Sequence, residues 1–133
     1  MSSLHRLLVV SPNRDSLSVF DSTLKSHNDV VIFWVESGGM ALETLSDTTF
    51  DLVVTGEKLG DMTGFELAGK LISVNPMINC VVMSDLSHKD FHETSEGLGL
   101  MAQLPVQPSK KQTEELLQRL KNLKNLMGGL NVR

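Results

Sequence analysis

Tyrosine is absent from the 133 residues, tryptophan and cysteine occur once each, and no apolar run approaches the length of a membrane span. Each shortage excludes something. A lone cysteine, Cys80, cannot form an intramolecular disulfide, and its setting in INCVVM is that of a buried structural thiol rather than a nucleophile. A spanning helix needs roughly 18 or more consecutive apolar residues, and the opening MSSLHRLLVVSP is too briefly apolar for a secretory signal. A cytoplasmic location with no membrane contact is the expectation. The one tryptophan, Trp34, lies inside the apolar segment VIFWV with no basic residues interleaved, so it reads as core. With a net charge of -4, no nucleic-acid partner is expected. Enzyme signatures are missing as well. There is no GxSxG or GxGxxG, and Cys80 has no positioned histidine. The SGG at positions 37 to 39 lacks the lysine of a phosphate loop and reads as a strand-to-helix turn.

What is present is ordinary for one globular domain: 41% apolar and 21% charged residues. Residues 1–133 read as a single domain with a core unit over 4–127, because no repeat, linker or low-complexity tract interrupts them. Charge is uneven. Residues 1–109 hold 6 Lys or Arg against 14 Asp or Glu, and residues 110–133 hold 6 against 2. The last helix is therefore basic on an acidic body, and its cations are expected to solvate its outer face.

Strand and helix patterns alternate five times. The segments 6–11 (RLLVVS), 30–35 (VVIFWV), 50–55 (FDLVVT), 78–83 (INCVVM) and 100–104 (LMAQL) are short and apolar, the first four also holding β-branched residues, so they read as strands. After the first, Leu17, Phe20 and Leu24 recur at helical spacing. Further helices follow at MALETLS, at FELAGKLISVN up to Asn75-Pro76, at the polar SDLSHKDFHETSEG, and at KKQTEELLQRLKNLKNLM behind Ser109. Strands apolar throughout imply a parallel sheet covered on both faces. With right-handed crossovers, a doubly wound α/β fold with strand order 2-1-3-4-5 is expected. Ligands in such a fold sit beyond the carboxyl ends of the strands.

The residues at those ends carry a specific resemblance. LLVVSPN, FDLVVTGEKLGDMTGFEL, VVMSD and the Leu104-Pro105 step are similar, in that order, to the motifs of response-regulator receiver domains, over nearly the whole chain. The resemblance implies the flavodoxin-like receiver fold and a signalling role. It also implies what ought to stand at the site, and this chain departs from it. Gly56 stands where the family has its phosphoryl-accepting aspartate. Ser11 and Pro12 stand where two acidic residues help hold Mg²⁺, and Leu104 stands where a lysine pairs with the acceptor. Met101 stands at the aromatic switch position, and Gly60 replaces a loop proline. Ser84 keeps the conserved hydroxyl and Pro105 the conserved proline. The family has a cis peptide before that proline, although X-Pro bonds in general are cis in only about 5% of cases.

The expectation is a receiver that binds no cofactor, takes no phosphoryl group and works through a protein partner. Glu57 and Asp85 are the acidic residues left near the old pocket, and an alternative is that they serve a small-ligand or cation-responsive switch. His88 and His92 share one helix face without a third defined ligand, so no metal is expected. Thr55 reads as a core hydroxyl, and His5 and His27 have no identifiable partner. The family signals through its fourth helix, fifth strand and fifth helix. In the last helix Leu116, Leu120, Leu123 and Met127 follow a 4-3-4 spacing, with Leu130 continuing it, and make a candidate interface that could also support a homodimer.

Overall fold

The computed structural model describes residues 4–131, with side chains to residue 126. Five strands, β1 (His5–Val10), β2 (Val30–Val35), β3 (Leu52–Gly56), β4 (Cys80–Met83) and β5 (Ala102–Leu104), form one parallel sheet in the order β2-β1-β3-β4-β5. The helices are α1 (Ser18–Lys25), α2 (Gly38–Asp47), α3 (Gly64–Val74), α4 (His88–Thr94) and α5 (Lys110–Asn131), with a 3-10 turn at Arg14–Leu17 leading into α1. The expected architecture and strand order are those observed.

Strand alternation sorts the core into two layers. Leu7, Val9, Leu52, Val54, Val81 and Met83 face α1 and α5, where Phe20, Leu24, Leu117 and Leu120 meet them. Leu8, Val10 and Val53 face the opposite way, against Ala41 of α2 and Leu67, Ala68 and Leu71 of α3. At about 25 cal/mol per Å² of apolar surface removed from water, these layers are the main driving force for the fold. β2 is an edge strand, and of its residues only Val35 is fully buried. Trp34 is half-buried against the α1/α5 layer with the Arg14 guanidinium 4.7 Å above its ring, so it is partly core and partly a cation platform.

Several boundaries are tighter than the sequence suggests. β4 and β5 begin two residues later than expected, at Cys80 and Ala102, the first of their residues in register with a neighbouring strand. α4 is confined to His88–Thr94. Ser87 caps it by accepting from Asp90 N, and the chain turns through Gly97 at φ 83°.

α5 requires two corrections. Leu116 and Leu120, expected at an interface, are buried in the α1/α5 layer, and Leu123 packs against it. The sheet and α1 take up Leu116 and Leu120, while Leu123 remains partly exposed. The side chains of Met127 and Leu130 lie outside the described residues. The cations of α5 do more than solvate its outer face. Lys121 pairs with Asp29 at 3.0 Å and Lys124 with Asp51 at 3.2 Å.

The two histidines without apparent partners have them across the chain. His27 Nε2 lies 2.7 Å from Glu114 Oε1. Lys124 Nζ donates to His5 Nδ1 at 3.0 Å, so the proton of the neutral ring sits on Nε2, towards Asp29. Burial, and then the Lys124 ammonium, push the His5 imidazole below its ordinary value. The fold therefore holds His5 neutral, with its Nδ1 lone pair turned to the lysine.

Candidate functional site

Parallel register brings four strand ends to one corner. Val10 pairs with Thr55, Gly56 with Met83, and Met83 with Leu104. Ser11, Gly56, Ser84 and Leu104 therefore stand side by side, where a doubly wound sheet places its ligands. A shallow hollow of about 150 Å³ opens there. It is lined by Ser11, Pro12, Gly56 and Glu57, together with Asn13, Lys58, Met83 and Val106 among others. Ser84, Asp85, Leu104 and Pro105 are not part of its lining. Met83 and Val106 are site residues that sequence reasoning missed. Val106 could have been found as the residue next to Pro105, whereas Met83 looks like any other apolar strand residue.

The polar groups at this corner are engaged locally. Ser11 Oγ accepts from Asn13 N at 3.1 Å, and Ser84 Oγ accepts from Leu86 N at 3.0 Å. Each hydroxyl thus shapes the turn that follows its strand. Ser84 N donates to Leu104 O at 2.8 Å, closing β4 onto β5. Thr55 is fully buried and donates to Gly56 O at 3.0 Å, as expected of a core hydroxyl. Glu57 is the one carboxylate lining the hollow, with the Lys58 cation beside it, and Asp85 is exposed to solvent outside it.

This donor set does not fit Mg²⁺. The ion demands near-ideal octahedral oxygen coordination and is normally held by carboxylates together with phosphate oxygens. The hollow offers Ser11, Pro12 and Gly56 and a single carboxylate, Glu57. Among the described residues, no group of three or more His, Cys, Asp or Glu side chains could hold a metal. His88 and His92 are exposed on α4 without a third ligand. Met101 is buried in the α1/α5 layer, and its N donates to Cys80 O at 2.8 Å. Burial pushes the Cys80 thiol up to about 12, so it stays protonated at neutral pH and is a poor nucleophile. The Leu104–Pro105 peptide is trans, as is every peptide among the described residues, so the cis bond implied by the resemblance is not present.

The loop from β3 to α3 is held by a set of protein hydrogen bonds. Glu57 O accepts from Gly64 N at 2.8 Å, and Leu59 N donates to Met62 O at 3.0 Å. Gly60 turns the chain at φ 89°, a conformation that favours glycine over a residue with a side chain. Thr63 and Glu66 form a reciprocal capping box at the start of α3. Asp61 accepts from Gly38 N at 3.0 Å and Gly39 N at 2.9 Å, while Ser37 Oγ accepts from Met40 N. Three of the amide donors that α2 leaves unpaired at its start are thereby satisfied. The Gly39 N–H first, then the Gly38 N–H, hold the Asp61 carboxyl below its ordinary value. This bridge between two loops gave no sequence signal, because nothing local links residue 61 to residues 38 and 39.

No protein-family model matches the chain. A response regulator receiver protein of Anaeromyxobacter is 30% identical over 102 residues, which is 77% of this chain but 42% of that protein. The chain thus spans less than half the length of this relative. Among solved structures, an uncharacterized protein from Neptuniibacter caesariensis superposes with a TM-score of 0.83 at 18% identity, covering 99% of this chain and 98% of that one. A CheY-like receiver domain protein from Methanospirillum hungatei gives 0.80 at 20% identity, covering 92% and 98%. The chemotaxis response regulator CheY4 of Vibrio cholerae gives 0.78 at 17% identity, covering 89% and 99%. Strand order, layer arrangement and these superpositions agree, and the chain has the CheY-like receiver-domain fold.

Proposed function

We propose that this chain is a receiver-type signalling module that works by binding another protein and needs no phosphoryl transfer. The observation that carries this reading is the corner described above. The acceptor position is a glycine, both hydroxyls are engaged in their own turns, and the β3–α3 loop is ordered by Asp61, the capping box and backbone bonds. Clustered carboxylates repel one another and call for a counter-ion when partly buried. A corner without them settles without a divalent cation. The reading implies a protein of the cytoplasm and no catalysis. A cation-responsive switch has less support, because Glu57 lines the hollow and Asp85 does not.

The partner surface we favour is the face made by α4, β5 and α5. Two adjoining hollows of about 580 and 270 Å³ lie along it and share Ala102, Gln103 and Arg119. Arg119 is exposed and has no carboxylate partner among the described residues, which suits an acidic or hydrogen-bonding group on the partner. A homodimer through α5 has less support, because Leu116 and Leu120 of its proposed stripe are buried against the sheet and α1. The test is capture from a cell extract with the intact chain as bait, with and without Mg²⁺ and beryllofluoride. The expected result is one set of partners, retained equally in both conditions and lost with Arg119→Glu. Partners that appear only with beryllofluoride would contradict the reading.

A further inference from the structure

At the opposite end of the sheet, below the amino ends of the strands, a cleft of about 470 Å³ opens between the ends of α2 and α3. We propose that it binds a small amphipathic anion, an aliphatic chain ending in a carboxylate. Its apolar lining is Leu42, Leu45, Phe50, Leu71, Val74 and Ile78. The volume and apolar lining match those of ordinary small-molecule sites, which add only a few convergent polar groups. Val74 at its lip is 80% exposed, an apolar surface that a ligand chain would cover.

The charged groups select the head. Lys70 is the one charged residue lining the cleft, and it makes no ion pair among the described residues. Outside the lining, the Arg6 guanidinium lies 5.2 Å from the Phe33 ring centre and 5.5 Å from that of Phe50, and its Nε donates to Thr49 O on the rim at 3.3 Å. It too has no carboxylate partner there, because Asp51 accepts from Arg6 N and is paired with Lys124. Asn75 Oδ1 accepts from Met77 N, which leaves the Asn75 amide N–H groups to donate. The ends of α2 and α3 oppose an anion, each equivalent to roughly half a negative charge. Lys70 supplies the one full charge on the lining against them, and neither Arg6 nor Asp47 lines the cleft.

The test titrates the intact chain with decanoate, decanol and decylammonium below their micellar concentrations, reading backbone amide shifts. Decanoate should bind saturably, with shifts confined to residues 42–50 and 70–78. Decanol should bind more weakly and decylammonium least. Lys70 is exposed, so Lys70→Gln should fold normally and weaken decanoate by about tenfold, the cost of one charge-assisted hydrogen bond, without changing decanol. Val74→Glu, also at an exposed position, should weaken decanoate by repulsion. Absence of saturable shifts, decanol binding as tightly as decanoate, or decanoate binding unchanged in Lys70→Gln would each overturn the proposal.

Discussion

Leu120→Ala should destabilise the fold by about 3–4 kcal/mol, the usual cost of emptying a fully buried leucine site whose surroundings relax only in part. Leu120 is 0% exposed and sits in the layer with Phe20, Leu24 and Leu117. It lies on a helix that is otherwise polar on its outer side. The adjoining Leu126 is 63% exposed, and Leu126→Glu should change stability by less than about 0.5 kcal/mol. Urea unfolding of both variants checks the pair, with the midpoint moving in the first at constant slope and holding in the second. The contrast decides what the leucine repeat of α5 is for. A neutral Leu120→Ala together with a disruptive Leu126→Glu would mean that α5 docks elsewhere than on this sheet.

Gly64→Ala should cost about 2–3 kcal/mol, through forced overpacking rather than through a lost contact. A Cβ at position 64 would fall well inside contact distance of the Gly56 carbonyl oxygen, and it would also press on the Thr55 methyl. That oxygen belongs to backbone at the end of β3 and cannot swing aside as a flexible side chain could. Gly64 thus allows the first turn of α3 to lie directly on the end of β3, with its N donating to Glu57 O at 2.8 Å. The cost should appear in the folded loop as well as in stability. Amide signals of residues 56–64 should shift or broaden while those of β1 and β2 hold. Gly56→Ala is the control. A Cβ there meets only Val10 O at 3.8 Å, an ordinary contact, so this variant should be far milder.

The topology was readable because five apolar segments of strand length alternate with helical periodicity, and this leaves few arrangements. The side chains at the strand ends are also given by the sequence itself. Gly56 brings no carboxylate and Leu104 no ammonium, whatever the fold does around them. What could not be read was pairing over distance. Lys124 and His5 are 119 residues apart, and Asp61 reaches Gly38 across 23. α5 misled for a different reason. A leucine spacing of 4-3-4 suits a coiled-coil seam and a sheet-facing stripe equally, and only the position of the sheet separates them. The short fifth strand, Ala102–Leu104, was overextended because Leu100 and Met101 are apolar yet precede the residues in strand register. The strand ends and the resemblance pointed to Ser11, Pro12, Gly56 and Glu57, which line the hollow, and also to Ser84, Asp85, Leu104 and Pro105, which do not.

The measurement that most directly tests a phosphoryl-independent receiver is a backbone amide NMR titration of the intact chain, first with Mg²⁺ and then with Mg²⁺ plus beryllofluoride. The account predicts no saturable change at Ser11, Gly56, Ser84 or Leu104 and none at Met101. Saturable shifts near Glu57 and Asp85 that spread to Met101 would contradict it, and would show a rebuilt switch at the old site.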